Sequence, residues 1–206
     1  MLEPLSSKFR GEVLAQVLTR VAASLGAERL TREIEASTGR ISELVRAIKE
    51  YTYMDQAPEQ EIDLHRGIES TLTMLKFRLK HGVNVTREFA PDVPCVVAHG
   101  SELNQVWTNL IDNAIDAMGG KGELKIRTSR EVDFVVVEVI DNGSGIPDAV
   151  KPHIFEPFFT TKGVGEGTGM GLDTVYRIVR GHRGEISFDS QPGRTRFEVR
   201  LPIKPN

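Results

Sequence analysis

The sequence predicts an α+β protein: a two-layer sandwich with helices on one side of a mixed, mainly antiparallel sheet, preceded by an α-helical hairpin or one long helix. Residues 62–206 predict the sandwich, because helix-like and strand-like segments alternate there and short turns join the strands. Residues 5–56 predict the helical part, because they contain no proline and repeat apolar residues at helical spacing. Two domains, 1–57 and 62–206, are therefore expected.

The first domain is expected to be a helical dimerisation region that forms part of a hairpin. Its apolar residues recur every four positions from Leu5 to Val21, and every seven positions at Ile34, Ile41 and Ile48. A narrow apolar seam of this kind usually packs against a partner helix. We therefore expect a homodimer through these N-terminal helices, with an amphipathic helix packed on its own domain as the alternative.

Periodicity and turn residues divide the second domain into its elements. One helix is predicted over Arg66–Lys80, a second from the N-cap Ser101 to Met118, and a third over Leu172–Arg180. The predicted strands are Val83–Phe89, Cys95–Ala98, Glu123–Arg130, Phe134–Ile140, Glu185–Asp189 and Thr195–Leu201. Three helices over a sheet of hairpins account for the two layers.

Composition narrows the class of partners and the compartment. The net charge is −3, so no basic surface for nucleic acid is expected. The single cysteine, Cys95, cannot form an internal disulfide, and no apolar segment is long enough for a membrane span. We therefore expect a cytoplasmic chain that does not bind nucleic acid and does not itself insert into a membrane.

The second predicted helix carries two asparagines on one face. Asn109 and Asn113 are four residues apart, which brings their side chains together on a helix, with Asp112 and Asp116 beside them. Neutral carboxamide oxygens suit a magnesium ion that already holds phosphate oxygens and needs few protein ligands. A pair of ordinary surface asparagines is the alternative.

A turn and a glycine-rich loop follow the strand-like segment that ends at Ile140. The turn Asp141–Gly145 offers a carboxylate to an exocyclic amine such as that of adenine, and its glycines let the backbone approach a flat ligand. The loop Gly163–Gly171 leads into a helix, whose backbone N–H groups and dipole suit a phosphate. Lys162 precedes the loop and is placed to reach a terminal phosphate. An ordinary turn and a flexible lid are the alternatives.

Together these motifs resemble the ATPase superfamily that includes gyrase, the large heat-shock chaperone, histidine kinases and MutL. Trp107–Ala114 is similar to the asparagine box of histidine kinases, Asp141–Gly145 to the first glycine box, Phe155–Phe159 to the phenylalanine box and Gly165–Gly171 to the second glycine box. The stretch Phe158–Lys162 resembles the nitrogen-regulator type of kinase. The resemblance implies a sandwich of the Bergerat type, with 62–206 as the ATP-binding catalytic domain.

The resemblance also implies Mg²⁺ and ATP as ligands and gives roles to individual residues. Asn113, assisted by Asn109, would bind the metal, Asp141 would bind the adenine amine, and Thr195 would support the adenine through water. Asn109 and Lys162 would be the catalytic residues. The implied nucleotide-binding set is Asn109, Asn113, Asp116, Asp141, Gly143, Gly145, Ile146, Phe155, Lys162, Gly165, Gly167, Thr168, Gly169, Met170, Gly171, Leu172 and Thr195. The strand around Thr195 lacks one glycine of the family pattern.

The resemblance implies a protein-histidine kinase rather than an ATP hydrolase. The hydrolytic branches of the superfamily carry a glutamate at the position of Asn109, and an asparagine cannot take a proton from water. We therefore expect the ATP-binding catalytic part of a two-component sensor kinase, with a response regulator receiver domain as partner. A nucleotide-binding dimerisation or regulatory module without phosphotransfer is the alternative.

Residues 1–56 contain no histidine that could accept the phosphoryl group. The five histidines are His65, His81, His99, His153 and His182, and none has the His-Glu/Asp context of an acceptor. Either the acceptor helix lies outside this chain, upstream or in a partner, or the hairpin has lost its acceptor. In the second case the chain phosphorylates another protein or only binds nucleotide.

Overall fold

The computed structural model describes residues 15–22, 25–26, 30–31, 59–80, 82–162 and 169–203. These residues belong to two units, one within residues 1–45 and the other within residues 46–206. Those described in the first unit are helical. The predicted seam at Ile34, Ile41 and Ile48 lies outside the described residues, so the helical hairpin over 1–57 and the dimer through it stay predictions. Within the described part, no helix has both the length and the apolar character needed to cross a bilayer.

The described part of the second unit contains seven strands and four α-helices. The strands are β1 (Gln60–Ile62), β2 (Val83–Phe89), β3 (Val96–Ala98), β4 (Gly122–Arg130), β5 (Phe134–Asp141), β6 (Glu185–Gln191) and β7 (Arg194–Pro202). The helices are α1 (Leu64–Met74), α2 (Lys76–Leu79), α3 (Gly100–Ala117) and α4 (Gly171–Gly181), and a short 3-10 helix covers Lys151–His153.

Five strands form the main sheet, in the order β2-β4-β5-β7-β6. The β2–β4 pair is parallel, whereas β4–β5, β5–β7 and β6–β7 are antiparallel. β3 and α3 lie between β2 and β4 in the sequence. This long connection brings the chain back to the end of the sheet at which β2 begins, so that β4 can run parallel to β2. β1 and β3 form a separate antiparallel pair. The predicted α+β fold with a mixed, mainly antiparallel sheet is therefore confirmed.

The main sheet has one buried face and one charged face. Along β7, residues 195, 197, 199 and 201 are buried and the residues between them are partly exposed, as in a strand with one covered face. α3 lies over the buried face, and its Trp107 is the largest fully buried side chain among the described residues. On the charged face, Glu138 accepts hydrogen bonds from Arg127 at 3.3 Å and from Arg196 at 2.9 Å, which compensates its burial.

The first predicted helix differs from the structure at both ends. α1 begins at Leu64 because the carboxylate of Asp63 caps it, accepting the backbone N–H groups of His65 at 2.9 Å and Arg66 at 3.3 Å. It ends at Met74 instead of Lys80. Near this end, the hydroxyl groups of Thr71 and Thr73 donate to carbonyls four residues earlier, a contact that weakens and bends helices.

The second predicted helix is correct in extent but not in its cap. α3 follows His99, so the prediction of Ser101 as N-cap is wrong. At the other end, Gly119 and Gly120 have φ values of 60° and 77° and donate their N–H groups to the carbonyls of Asp116 and Ile115. This pattern of two reversed hydrogen bonds is a Schellman motif, which needs a left-handed residue that glycine supplies without strain. It ends α3 beside the strand-end Asp141.

Candidate functional site

A cavity of about 1250 Å³ opens between α3, the end of β5 and the beginning of α4. It is lined by most of the residues that the sequence analysis assigned to a ligand: Asn109, Asn113, Asp116, Asp141, Gly145, Ile146, Lys162, Gly169, Gly171, Leu172 and Thr195. Gly143, Phe155 and Met170 are not part of its wall, and Gly165, Gly167 and Thr168 lie outside the described residues. The asparagine pair, the strand-end carboxylate and the lysine thus share one cavity.

One end of the cavity is formed by neighbouring strands of the sheet. Asp141 and Thr195 are directly paired across β5 and β7, so their side chains stand next to each other on the same face. Both are buried, at 4% and 3% exposure. Asp141 Oδ1 accepts the N–H of Gly143 at 2.8 Å, and its other oxygen has no hydrogen-bond partner among the described residues. This end therefore presents a buried acceptor and a hydroxyl group to a ligand.

Burial governs the ionisation of the strand-end carboxylate. It raises the pKa of Asp141 above the ordinary value, because the charged form loses water, and the hydrogen bond from Gly143 opposes this only in part. When this buried carboxylate is ionised, a ligand that donates a hydrogen bond to its free oxygen stabilises the charge.

The β6–β7 hairpin fixes the turn that follows Asp141. Gly145 has a φ of +78°, and a Cβ built on it would lie 2.7 Å from the backbone carbon and oxygen of Gln191. Two hydrogen bonds add to this close approach: the N–H of Gly193 donates to the Gly143 carbonyl at 2.9 Å, and the N–H of Ile146 donates to Ser190 Oγ at 2.8 Å. Glycine is required at 145 for both its conformation and its lack of a side chain.

Apolar side chains complete this end of the cavity. Ile146, Ile154, Phe159 and Phe197 line it and also pack against the hydrophobic core. A flat aromatic ligand would bury its faces among such groups while its edge meets the polar pair. Phe155 lies behind this wall, where its ring packs against those of Tyr176 and Phe188 with centroid distances of 5.6 Å and 5.9 Å.

The opposite end of the cavity holds the asparagine pair. The side chains of Asn109 and Asn113 have no hydrogen-bond partner in the part of the chain that is described, although both are half-buried. A Cβ built on Gly171, the first residue of α4, would lie 3.5 Å from Asn109 Oδ1 and 4.0 Å from Asn113 Nδ2. The amide groups therefore lie against the N-terminal turn of α4, where unpaired backbone N–H groups and the helix dipole favour an anion.

Besides Asp141, four charged side chains line the cavity. Arg78 donates to the carboxylates of Asp112 and Asp116, at 2.5 Å each, and the amino group of Lys162 also pairs with Asp116. Burial tends to raise the pKa of Asp116, but Lys162 and Arg78 outweigh it and the pKa is lowered. For Asp112 burial prevails and the pKa is raised. Lys162 thus lines the same cavity as Gly171, the first residue of the helix whose N-terminus is predicted to bind a phosphate.

Sequence reasoning missed two contributors to this site. Arg78 comes from α2, 34 residues before Asp112, and no motif surrounds it. Ser190 lies beneath the cavity wall and connects Ile146 to Thr195. Only a prediction of β6–β7 pairing in register could have signalled Ser190, since it stands opposite Thr195 in that pair.

An α+β sandwich with a cavity between an asparagine-bearing helix, a strand-end aspartate and a helix N-terminus defines an ATPase domain of the kind found in histidine kinases. The chain belongs to the family of histidine kinase-, DNA gyrase B- and HSP90-like ATPases, whose model matches residues 98–205. The family expected from the four motifs is therefore confirmed.

Known relatives and solved structures agree with this family. The sensory histidine kinase/phosphatase NtrB of Rhizobium meliloti (strain 1021) is 33% identical over 189 residues, covering 84% of this chain and 49% of that protein. Sensor kinase CckA of Brucella abortus (strain 2308) is 36% identical over 186 residues, covering 82% of this chain and 20% of that protein. The catalytic domain of histidine kinase ThkA superposes with a TM-score of 0.66 at 30% identity, covering 72% of this chain and 100% of that domain. The chain spans about half the length of the NtrB relatives it matches.

Proposed function

We propose that this chain is the ATP-binding catalytic part of a two-component sensor histidine kinase. It transfers the γ-phosphoryl group of Mg-ATP to a histidine on a dimerisation helix outside this chain or in a partner. The observation that carries the proposal is the placement of the Asn109 and Asn113 amides against the N-terminal turn of α4, at the other end of a cavity from Asp141. The proposed metal ligands thereby lie next to the backbone N–H groups that would donate hydrogen bonds to the phosphates.

The adenine base is proposed to occupy the end of the cavity at β5 and β7. The free oxygen of Asp141 accepts a hydrogen from the exocyclic amine, and Thr195 supports the ring edge directly or through water. Ile146 and Phe197 cover the faces of the ring. Asp141 and Thr195 are almost fully buried, so water screens hydrogen bonds formed there only weakly and each one discriminates strongly between ligands.

The phosphates are proposed to occupy the end of the cavity at α3 and α4. The unpartnered amide oxygens of Asn113 and Asn109 fit the few protein ligands that Mg²⁺ takes when phosphates supply the others. A bound Mg²⁺ neutralises phosphate charge. Lys162 exchanges its ion pair with Asp116 for the terminal phosphate, and the backbone N–H groups around Gly169 and Gly171, together with Gly165 and Gly167, hold the remaining oxygens.

The amide of Asn109 favours transfer over hydrolysis. Activation of water needs a proton acceptor near the terminal phosphate, and Asn109 offers an amide there. Asp112 and Asp116, the carboxylates on the same helix, form ion pairs with Arg78, and Asp141 lies at the base end. Catalysis would consist mainly of positioning and of charge stabilisation around an in-line transfer.

The wider setting of the proposal follows the sensor-kinase relatives. The proposal includes a homodimer through the N-terminal helices and a response regulator receiver domain that would take the phosphoryl group onward. A cytoplasmic location accords with a nucleotide supplied by the cell interior. Neither nucleic acid nor membrane insertion of this chain has a part in the proposal.

Phosphotransfer is tested with the chain, [γ-³²P]ATP, Mg²⁺ and a supplied helical domain that carries an acceptor histidine. The acceptor should gain label that is stable in base and lost in acid, as expected for a phosphohistidine. The Asn113→Asp variant serves as the control and should give no label. Label that is absent with the wild type, although ATP binds, would refute the kinase.

The nucleotide-binding regulatory module without phosphotransfer is retained as a second candidate, because residues 1–56 contain no histidine. It predicts that ATP raises the unfolding temperature by mass action while no acceptor is labelled. Rapid steady-state release of phosphate without an acceptor would instead indicate a hydrolase.

A further inference from the structure

We infer that Ser190 determines base specificity in the proposed nucleotide site, by fixing the Thr195 hydroxyl group as a hydrogen-bond donor toward position N1 of the purine. The inference rests on the proposed placement of adenine beside Asp141. Ser190 itself does not line the cavity, so its effect passes through Thr195 and it is a positioning residue.

The Ser190 hydroxyl group has a small and well-defined environment. The residue is 4% exposed. Its Oγ accepts the backbone N–H of Ile146 at 2.8 Å and lies 2.9 Å from Thr195 Oγ1. These are the only hydrogen-bond partners of this hydroxyl among the described residues, and one of them is a donor.

The position of each hydroxyl proton follows from this environment. If Thr195 donated to Ser190, the Ser190 proton would have no acceptor, and a buried donor without a partner is unfavourable. If Ser190 donates to Thr195, both of its contacts are satisfied. The Thr195 proton must then point elsewhere, and Thr195 lines the cavity. The arrangement therefore directs a hydroxyl donor from Thr195 into the cavity.

A donor beside a carboxylate matches the edge of adenine. Adenine offers an amine at position 6, which suits Asp141, and an acceptor at N1, which suits a donor from Thr195. Guanine and hypoxanthine reverse both groups, with an oxygen at position 6 and an N–H at N1. Without the Ser190 hydroxyl group, the Thr195 hydroxyl could rotate and could donate or accept a hydrogen bond. The site would then no longer require an acceptor at N1 of the purine.

The experiment measures the affinity of the folded chain for three nucleotides by calorimetry. They are ATP, 1-deaza-ATP, which carries C–H in place of N1, and purine riboside triphosphate, which lacks the 6-amine. In the wild type we expect 1-deaza-ATP to bind about tenfold more weakly than ATP, as for one lost hydrogen bond to a fixed donor. In Ser190→Ala the ratio of the affinities for ATP and 1-deaza-ATP should fall to about twofold. The ratio of the affinities for ATP and purine riboside triphosphate should stay at its wild-type value, because Asp141 controls it.

Two further variants separate positioning from mere packing. Ser190→Thr retains the hydroxyl group and should retain the tenfold ratio. Thr195→Val should reduce the ratio to about one, and adding Ser190→Ala to it should change the ratio no further. If Ser190 only supports packing, its replacement should weaken the binding of all three nucleotides equally.

The inference is overturned if the N1 ratio of Ser190→Ala equals that of the wild type, or if both ratios collapse together. Failure of the proposed function has a different signature. In that case the folded wild type, verified by its unfolding transition, would bind none of the three nucleotides.

Discussion

Replacement of Gly145 by alanine tests how the β6–β7 hairpin holds the turn beside Asp141. Gly145 has a φ of +78°, and an added Cβ would lie 2.7 Å from the backbone carbon and oxygen of Gln191. Gly193 provides a matched control, since its φ is +84° and an added Cβ would have no atom within 4 Å. The two substitutions share the conformational cost and differ in the steric one.

The magnitudes follow from these two geometries. A left-handed alanine costs roughly 1–2 kcal/mol, and the lower entropy of the unfolded chain offsets about 0.4–1 kcal/mol of it. Gly193→Ala should therefore lower the free energy of unfolding by about 1 kcal/mol. At Gly145, ordinary contact begins at 3.4 Å, so the Gln191 backbone must move by about 0.7 Å, and overpacking of this kind costs roughly 1–3 kcal/mol more. The expected loss for Gly145→Ala is about 2–4 kcal/mol.

Urea unfolding followed by tryptophan fluorescence measures this difference. Trp107 is the only tryptophan of the chain and is buried in α3, so its signal reports on the unit that contains the cavity. ATP binding by calorimetry gives a second readout: Gly145→Ala should weaken it at least tenfold because the turn shifts, and Gly193→Ala should leave it near the wild-type value. Equal losses of stability in the two variants would refute the close approach of Gly145 to the hairpin.

Three further substitutions test individual side chains. Burial raises the pKa of Asp141, so its contribution to stability is full below the ordinary carboxyl pKa and is lost as pH rises through the folded-state pKa. Asp141→Asn should therefore gain stability relative to the wild type as pH rises from about 4 to 8 in urea titrations, while ATP affinity falls roughly tenfold or more. Asn113→Asp adds a negative charge beside the proposed phosphates and should weaken ATP binding at least about tenfold in calorimetry, with little change in the urea midpoint. Lys162→Met should weaken ATP roughly three- to tenfold and leave AMP unchanged in competition assays, because AMP has no terminal phosphate to reach.

Two of these variants have a control variant on the same domain, and Lys162→Met is controlled by AMP. Asp189→Asn removes an exposed carboxylate and should leave ATP affinity near the wild-type value. Asn84→Asp adds a charge on β2, which does not line the cavity, and should leave ATP binding unchanged. A loss of AMP affinity in Lys162→Met as large as that of ATP would show that the lysine does not contact the terminal phosphate.

The parts of the fold and site that the sequence predicted are those encoded locally. Strand alternation, as in β7, and glycine-rich turns act over a few residues, so their positions could be read directly. Asn109 and Asn113 share a face because the helix repeat places them together, whatever the tertiary structure. The early end of α1 is different, since the apolar repeat continues through Leu75 and Leu79 while the structure interrupts the helix at Leu75.

The contacts that the sequence did not predict join residues that are far apart in the chain. Many acidic residues of the sequence could pair with Arg78, and only the tertiary structure shows that Asp112 and Asp116 do so. Ser190 is separated from Ile146 by 44 residues, so their hydrogen bond depends on the register of β6 and β7. Periodicity carries no information about such pairs, because many pairings satisfy the same apolar pattern.

The two ends of the cavity differ in burial, and under the proposed function this difference would separate recognition of the base from binding of the phosphates. Asp141 and Thr195 are 4% and 3% exposed, so their hydrogen bonds act in a low dielectric and a mismatched base edge leaves a buried polar group unpaired. The side chains of Arg78, Asp116 and Lys162 are 35–40% exposed, and ion pairs so exposed are weak and are exchanged at little cost. Under the proposed function, Lys162 would therefore leave Asp116 for a phosphate while the base end stays fixed. In the proposed arrangement the buried end would select the nucleotide, and the exposed end would exchange its ion pairs for contacts with the phosphates.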